Sequence, residues 1–114
     1  MTISALARVE VPAAFWRKRR VGELRPDRAA GLAAEFAADV KGTGLEAPRF
    51  TLVLVDDVTL AAAASLVARH PLRAYDAVQL ATALAVIEAD PSMRFASFDA
   101  QLNAAAAAEG LQLL

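Results

Sequence analysis

The sequence predicts an α/β domain in which a short parallel sheet is flanked by helices. Three observations carry this: short apolar or β-branched runs alternate with longer helical patterns, Pro and Gly punctuate the boundaries, and the 114 residues are 57% hydrophobic. That length suits one domain, with enough apolar side chain for a core. No linker-like stretch or internal repeat divides it, so residues 1–114 are expected to form a single domain.

Residues 1–11 carry two patterns. Ile3, Ala5, Ala7, Val9 and Val11 alternate as in a strand, while Leu6, Val9 and Ala13 share one face of a helix. The reading adopted is a short strand at the start followed by a helix from about Ser4. Pro12 within that helix removes one backbone hydrogen bond, at a cost of about 3 kcal/mol unless the helix bends, whereas a helix that began at Pro12 would accept it freely.

A helix over residues 26–40 follows, with Pro26 and Asp27 in its first turn, Leu32, Phe36 and Val40 at helical spacing, and Gly42 beyond its end. Residues 51–55 read as a strand, and Asp56 or Asp57 caps a helix running to about Arg69. His70 is expected to serve as a contact at that helix's C-terminal end. After Pro71, residues 74–88 form a helix apolar almost all round, which predicts burial on most sides. Residues 94–98 read as a strand, residues from Asp99 or Ala100 to near Gly110 as an Ala-rich helix, and residues 111–114 as a last strand.

Composition narrows the chemistry. With no Cys and a single His, there is no disulfide, thiolate zinc site or cysteine nucleophile, so any reaction must rest on carboxylates. The net charge of −1 gives no overall attraction to nucleic acid, which would need a local patch or a bound cation. The apolar runs fall short of the roughly 20 residues of a membrane span, and no basic segment precedes an apolar stretch as in a signal peptide, so a cytoplasmic protein without membrane association is expected.

Three acidic residues are candidates. Asp76 opens the most apolar helix, Asp99 follows a strand, where open α/β sheets place their ligands, and Glu10 lies beside an apolar stripe. Singly, each has a plain reading: Asp76 and Asp99 as helix caps, Glu10 as a solvated surface group. Together they suit a hard cation such as Mg²⁺ or Mn²⁺, bound through a few carboxylate oxygens plus water, which can polarise a phosphate without His or Cys.

The runs Arg73-Ala74-Tyr75-Asp76-Ala77-Val78-Gln79-Leu80-Ala81-Thr82-Ala83, then Phe95-Ala96-Ser97-Phe98-Asp99-Ala100-Gln101-Leu102 with Gly110-Leu111, resemble the C-terminal signature of PIN domains of the VapC toxin type. Ser4-Ala5-Leu6-Ala7-Arg8-Val9-Glu10-Val11 resembles the second motif of that family, and the separation of Asp76 from Asp99, 23 residues, is ordinary for it. The resemblance spans essentially the whole chain.

It implies a PIN-like three-layer fold and a Mg²⁺- or Mn²⁺-dependent endoribonuclease, the toxin of a type II toxin-antitoxin system, with RNA as substrate, a cognate antitoxin as partner and a homodimer as assembly. Glu10, Asp76 and Asp99 match its catalytic and metal-ligand positions, and Ser97 a nearby polar one. The family opens with a strand ending in Asp that has no counterpart in residues 1–6, so an N-terminally truncated form is expected. The alternative is a catalytically impaired PIN remnant that dimerises or binds antitoxin.

Arg17, Lys18, Arg19 and Arg20 form the one dense basic cluster. It reads either as an RNA-phosphate contact or as a solvated helix end whose cations suit the C-terminal dipole. Arg73 could hold a phosphate or pair with a carboxylate. Phe15 and Trp16 beside the cluster fit base stacking, core or interface.

Overall fold

The structure, a computed structural model, describes residues 1–114 and is α/β, with two short strands and five helices. It divides into two compact units, Met1–Val53 and Leu54–Leu114.

The first unit holds β1 (Thr2–Ser4), α1 (Ala7–Arg20), α2 (Pro26–Lys41) and β2 (Thr51–Val53). β1 and β2 pair in parallel, with Ile3 opposite Leu52. The ladder extends past both ends through Thr51 N–H to the Met1 carbonyl and Ala5 N–H to that of Val53, each 2.8 Å. Ser4, completely buried, belongs to the strand, and its hydroxyl accepts the Leu6 N–H at 3.3 Å. The helix therefore starts at Ala7 rather than Ser4. α1 does run through Pro12, which leaves the Arg8 carbonyl without its partner four residues on.

α1 ends in a Schellman motif: Gly22, at φ 81°, lets its N–H reach the Arg19 carbonyl at 3.1 Å and that of Glu23 reach the Lys18 carbonyl at 2.8 Å. α2 then begins with Pro26 in its first turn, where a missing N–H does no harm, and packs on α1 with Ala29 fully buried. Phe36 meets Phe50 with ring centroids 5.7 Å apart. Gly42 ends α2 at φ 75° and ψ 174°, a region essentially reserved for glycine, and a Cβ there would lie 2.8 Å from Pro48 Cδ.

The second unit holds α3 (Asp57–Arg69), α4 (Ala74–Ala89) and α5 (Ala100–Ala108). Asp56 caps α3, its carboxylate accepting both the N–H and the hydroxyl of Thr59 at 2.8 Å. These bonds, the backbone one foremost, hold the Asp56 carboxyl below its ordinary pKa. α3 packs against α4, and Ala63, Leu66, Ala77, Val78, Leu80, Ala81, Leu102, Ala105, Ala106 and Leu111 make one continuous core. Small residues dominate, which lets helices approach closely around Leu66 and Leu80. A second Schellman motif closes α5, with Gly110 at φ 91° and the Leu111 N–H reaching the Ala106 carbonyl at 3.0 Å.

The two strands expected in this unit shrink to one parallel bridge, Phe95 with Leu113. Around it the Phe95 N–H reaches the Gln112 carbonyl, and the Leu114 N–H the Phe95 carbonyl, both at 2.9 Å. Side chains explain why pairing goes no further. The Ser97 hydroxyl takes the Asp99 N–H at 2.9 Å, and Asn103 Nδ2 donates to the Ser97 carbonyl at 3.0 Å, so backbone groups that could extend a ladder are already engaged. Phe98, the last residue of the expected strand, is fully exposed.

Candidate metal site

Asp76 and Asp99 lie in the second unit and Glu10 in the first. Within neither unit do three or more His, Asp or Glu side chains gather closely enough to hold a metal ion between them.

Asp76 sits in the first turn of α4, in a segment otherwise apolar, with its side chain only 15% exposed. The residue in the N-cap position is Arg73, and α4 has no side-chain cap. Asp76, three residues past the N-cap position, makes no side-chain capping bond. It reaches instead the Arg73 guanidinium, Nε to Oδ2 at 3.4 Å, a long contact to a cation that is 82% exposed. A pair of that kind is weakly held, since the arginine remains hydrated and mobile at little cost. Arg73 therefore adopts the carboxylate-pairing role, one of the two foreseen for it.

Asp99 does cap. Its Oδ1 accepts the Leu102 N–H at 2.9 Å at the start of α5. Capping uses one oxygen and leaves Oδ2 without a backbone donor, so a cap and a cation ligand are compatible in the same group. Ser97 fixes the approach, since its hydroxyl receives the Asp99 N–H, and Asn103 ties the Ser97 carbonyl to the first turn of α5. Asn103 was not singled out from sequence. Its position, four residues after Asp99 on one helix face, is the signal that could have found it.

Glu10 occupies the first turn of α1 and is half-buried. A negative charge there suits the helix dipole.

The basic cluster Arg17, Lys18, Arg19 and Arg20 forms the exposed last turn of α1, with Lys18 paired to Glu23 at 3.6 Å. Trp16 is 38% exposed and Phe15 partly buried.

A further polar cluster joins residues far apart in sequence. Oε1 of Glu109, the residue closing α5, accepts from Arg69 Nε at 3.0 Å and Nη2 at 2.9 Å, and lies 2.8 Å from His70 Nε2. His70 has both roles: its backbone N–H closes α3 on the Leu66 carbonyl at 2.9 Å, while its ring reaches across to Glu109. The His70 hydrogen bond foremost, then Arg69, holds the Glu109 carboxyl below its ordinary pKa. Glu109 escaped the sequence reading, although an acid in the last turn of a helix opposes the dipole and so calls for a cationic partner.

No protein-family model matches the sequence, and no curated protein matches it either. No helix is long and apolar enough to cross a membrane.

Proposed function

We propose that the chain is a divalent-metal-dependent nuclease acting on RNA phosphodiesters, built on a PIN-like fold and working as the cytoplasmic toxin of a toxin-antitoxin pair, with a cognate antitoxin and a second copy of itself as partners. The observation that supports the reading most directly is Asp76. It is a largely buried carboxylate at a helix start that does not cap its helix and whose counter-ion is a long contact from an exposed arginine. The first turn of α4 suits a negative charge, as it does at Glu10, and a hard cation is a partner such a carboxylate can take.

Carboxylate donors suit Mg²⁺ or Mn²⁺, which are commonly held by one or two carboxylates with water completing the shell. Asp76 would bind the ion, Asp99 would offer Oδ2 while Oδ1 remains on the Leu102 N–H, and Ser97 would orient Asp99 or a neighbouring water. Glu10, in the first unit, matches a ligand position by resemblance alone. A bound divalent ion supplies Lewis-acid polarisation of the phosphodiester and activation of water. Arg73, once released from Asp76, can donate to a phosphate oxygen, a task guanidinium geometry favours.

In the test, the purified chain with Mn²⁺ cleaves a labelled RNA, and Asp76→Asn lowers the rate at least on the order of a hundredfold, the scale on which even outer partners of metal ligands act. Equal cleavage by both proteins would remove Asp76 from the site.

A second reading, an impaired relative that only dimerises or captures antitoxin, is favoured by the Arg73–Asp76 contact, because a carboxylate already neutralised binds a cation less well. Calorimetric titration with Mn²⁺ separates the two. Binding that disappears in Asp76→Asn supports the nuclease, whereas no binding by the unaltered chain supports the impaired form.

A further inference from the structure

Charge is divided unevenly along the chain. Met1–Val53 carries nine Lys and Arg against six Asp and Glu, a formal +3, while Leu54–Leu114 carries three against seven, a formal −4. The excess cation is concentrated at one place. Residues 17–28, the end of α1, the connecting turn and the start of α2, hold six basic and two acidic side chains. The acids are accounted for, since Glu23 pairs with Lys18 and Asp27 with Arg25, both at 3.6 Å. Arg17, Arg19, Arg20 and Arg28 are left exposed and without an ion pair.

The plain explanation of cations at a helix C-terminus is that they satisfy its last carbonyls. Here the backbone has already done so for three of the last four. The Arg17 carbonyl accepts from Val21, that of Lys18 from Glu23 and Leu24, and that of Arg19 from Gly22, at 2.8–3.2 Å. The guanidinium groups are free for another partner.

We propose that this arginine-rich end of the α1–α2 hairpin binds the backbone of single-stranded nucleic acid. Arg17, Arg19 and Arg20 step round the helix by about 100° per residue, so they form a collar rather than a stripe. A rigid acidic helix would meet one side of it, whereas a flexible strand can follow it with successive phosphates. Arginine is the cation that grips phosphate through two parallel N–H bonds. Trp16, adjacent and partly exposed, offers a face on which a base can stack. The proposal rests on the first unit alone and does not require the metal-site reading.

The test uses the whole chain in EDTA, so that no metal-dependent cleavage intervenes, and follows the fluorescence anisotropy of a labelled mixed-sequence single-stranded RNA as salt is raised. The unaltered chain should bind with an affinity that falls steeply with salt, by about 0.7 in log K per log salt for each phosphate engaged. Replacing Arg17, Arg19, Arg20 and Arg28 by Ala should flatten that slope by about 2 to 3 and weaken binding at least on the order of a hundredfold at 0.1 M salt. The variant with Lys at all four positions should retain most of the salt dependence, and Arg94→Ala, an exposed arginine of the second unit, should bind as the unaltered chain does. Circular dichroism checks that the helices persist.

Three results overturn the proposal. One is a slope for the unaltered chain shallower than about one phosphate contact, which is decisive even where the Ala variant does not fold. Another is undiminished binding by a folded Ala variant. The third is tighter binding of a polyglutamate peptide than of the RNA, which makes the collar a protein-facing surface.

Discussion

The two units keep their shape by different means. In Leu54–Leu114, one cluster of buried apolar side chains joins α3, α4 and α5, with Leu66 and Leu80 almost wholly removed from water. In Met1–Val53 the buried apolar residues are Ala7, Ala29 and Val40, all small, and the fully buried side chain of the strand is a serine. To the packing of α1 on α2 the first unit adds backbone hydrogen bonding: the parallel ladder, the Schellman turn at Gly22, and the hook after α2 where Thr43 N–H reaches the Glu46 carbonyl at 2.8 Å and Arg49 N–H reaches that of Asp39 at 2.7 Å. Apolar burial is non-directional and tolerant of shape, whereas hydrogen-bonded turns depend on a few particular backbone angles. The units should therefore fail in different ways: the second through lost volume, the first through altered backbone.

The largest effect expected is that of Leu80→Ala. Removing a fully buried leucine between two packed helices should cost about 2–5 kcal/mol in urea-unfolding free energy, the spread reflecting how far the surrounding alanines can collapse into the space. With so many small neighbours there is little flexible side chain to fill it, which argues for the upper part of that range. A loss within the scatter of surface substitutions, about 0.5 kcal/mol, would show that the cluster is not the centre of stability.

Gly42→Ala probes the first unit. The substitution forces a Cβ to 2.9 Å from the Glu46 carbonyl oxygen and Pro48 N, in a backbone conformation that L side chains avoid, so about 1–3 kcal/mol should be lost. Native-state hydrogen exchange gives the sharper readout. Amides of Thr43 and Arg49, bonded within the hook, should lose protection while those of α4 keep theirs. Uniform loss across both units would mean that they unfold as one, and the contrast drawn between them would disappear.

Much of this architecture was legible because it is local. Pro26 and Gly42 mark the limits of α2, Asp56 marks the start of α3, and Gly110 the end of α5, each through a chemistry confined to neighbouring residues. The N-terminal segment was harder, since its apolar residues satisfy a period of two and of 3.6; the ladder with β2 takes residues 2–4, including buried Ser4, as strand, and residues 7–11 belong to α1. The expected strands near Phe95 and Leu113 were misjudged in length, because apolar composition does not reveal that Ser97 and Asn103 occupy the backbone groups around Asp99. For the site, sequence disclosed which groups could act but not what each one touches. Asp99 caps as its position indicates, while Asp76 does not, and the contact of Glu109 with His70 spans 39 residues of sequence that no local pattern encodes.

That long-range contact yields the smallest effect and the most specific one. Glu109 is held in the ionised form by the His70 ring and the Arg69 guanidinium, and its folded-state pKa is lowered from an ordinary value of 4.5. A depressed carboxylate pKa means that the unfolded chain binds the proton more readily. The stabilisation is therefore present above pH 4.5 and is lost as pH falls from there through the folded pKa. Because Arg69 is half exposed, solvent screens the pair and the loss should be modest. Thermal unfolding followed from pH 6 to pH 3 by circular dichroism should show Tm falling more steeply in the unaltered chain than in Glu109→Gln, with the two curves converging at the acidic end. Asp56 and Asp90, whose carboxyls are also lowered by hydrogen bonds to Thr59 and Ser92, contribute an acid-sensitive background common to both proteins, so the difference between the curves isolates Glu109. Parallel curves throughout would mean that the tie from the end of α3 to the end of α5 adds nothing, leaving the apolar cluster alone to hold the second unit together.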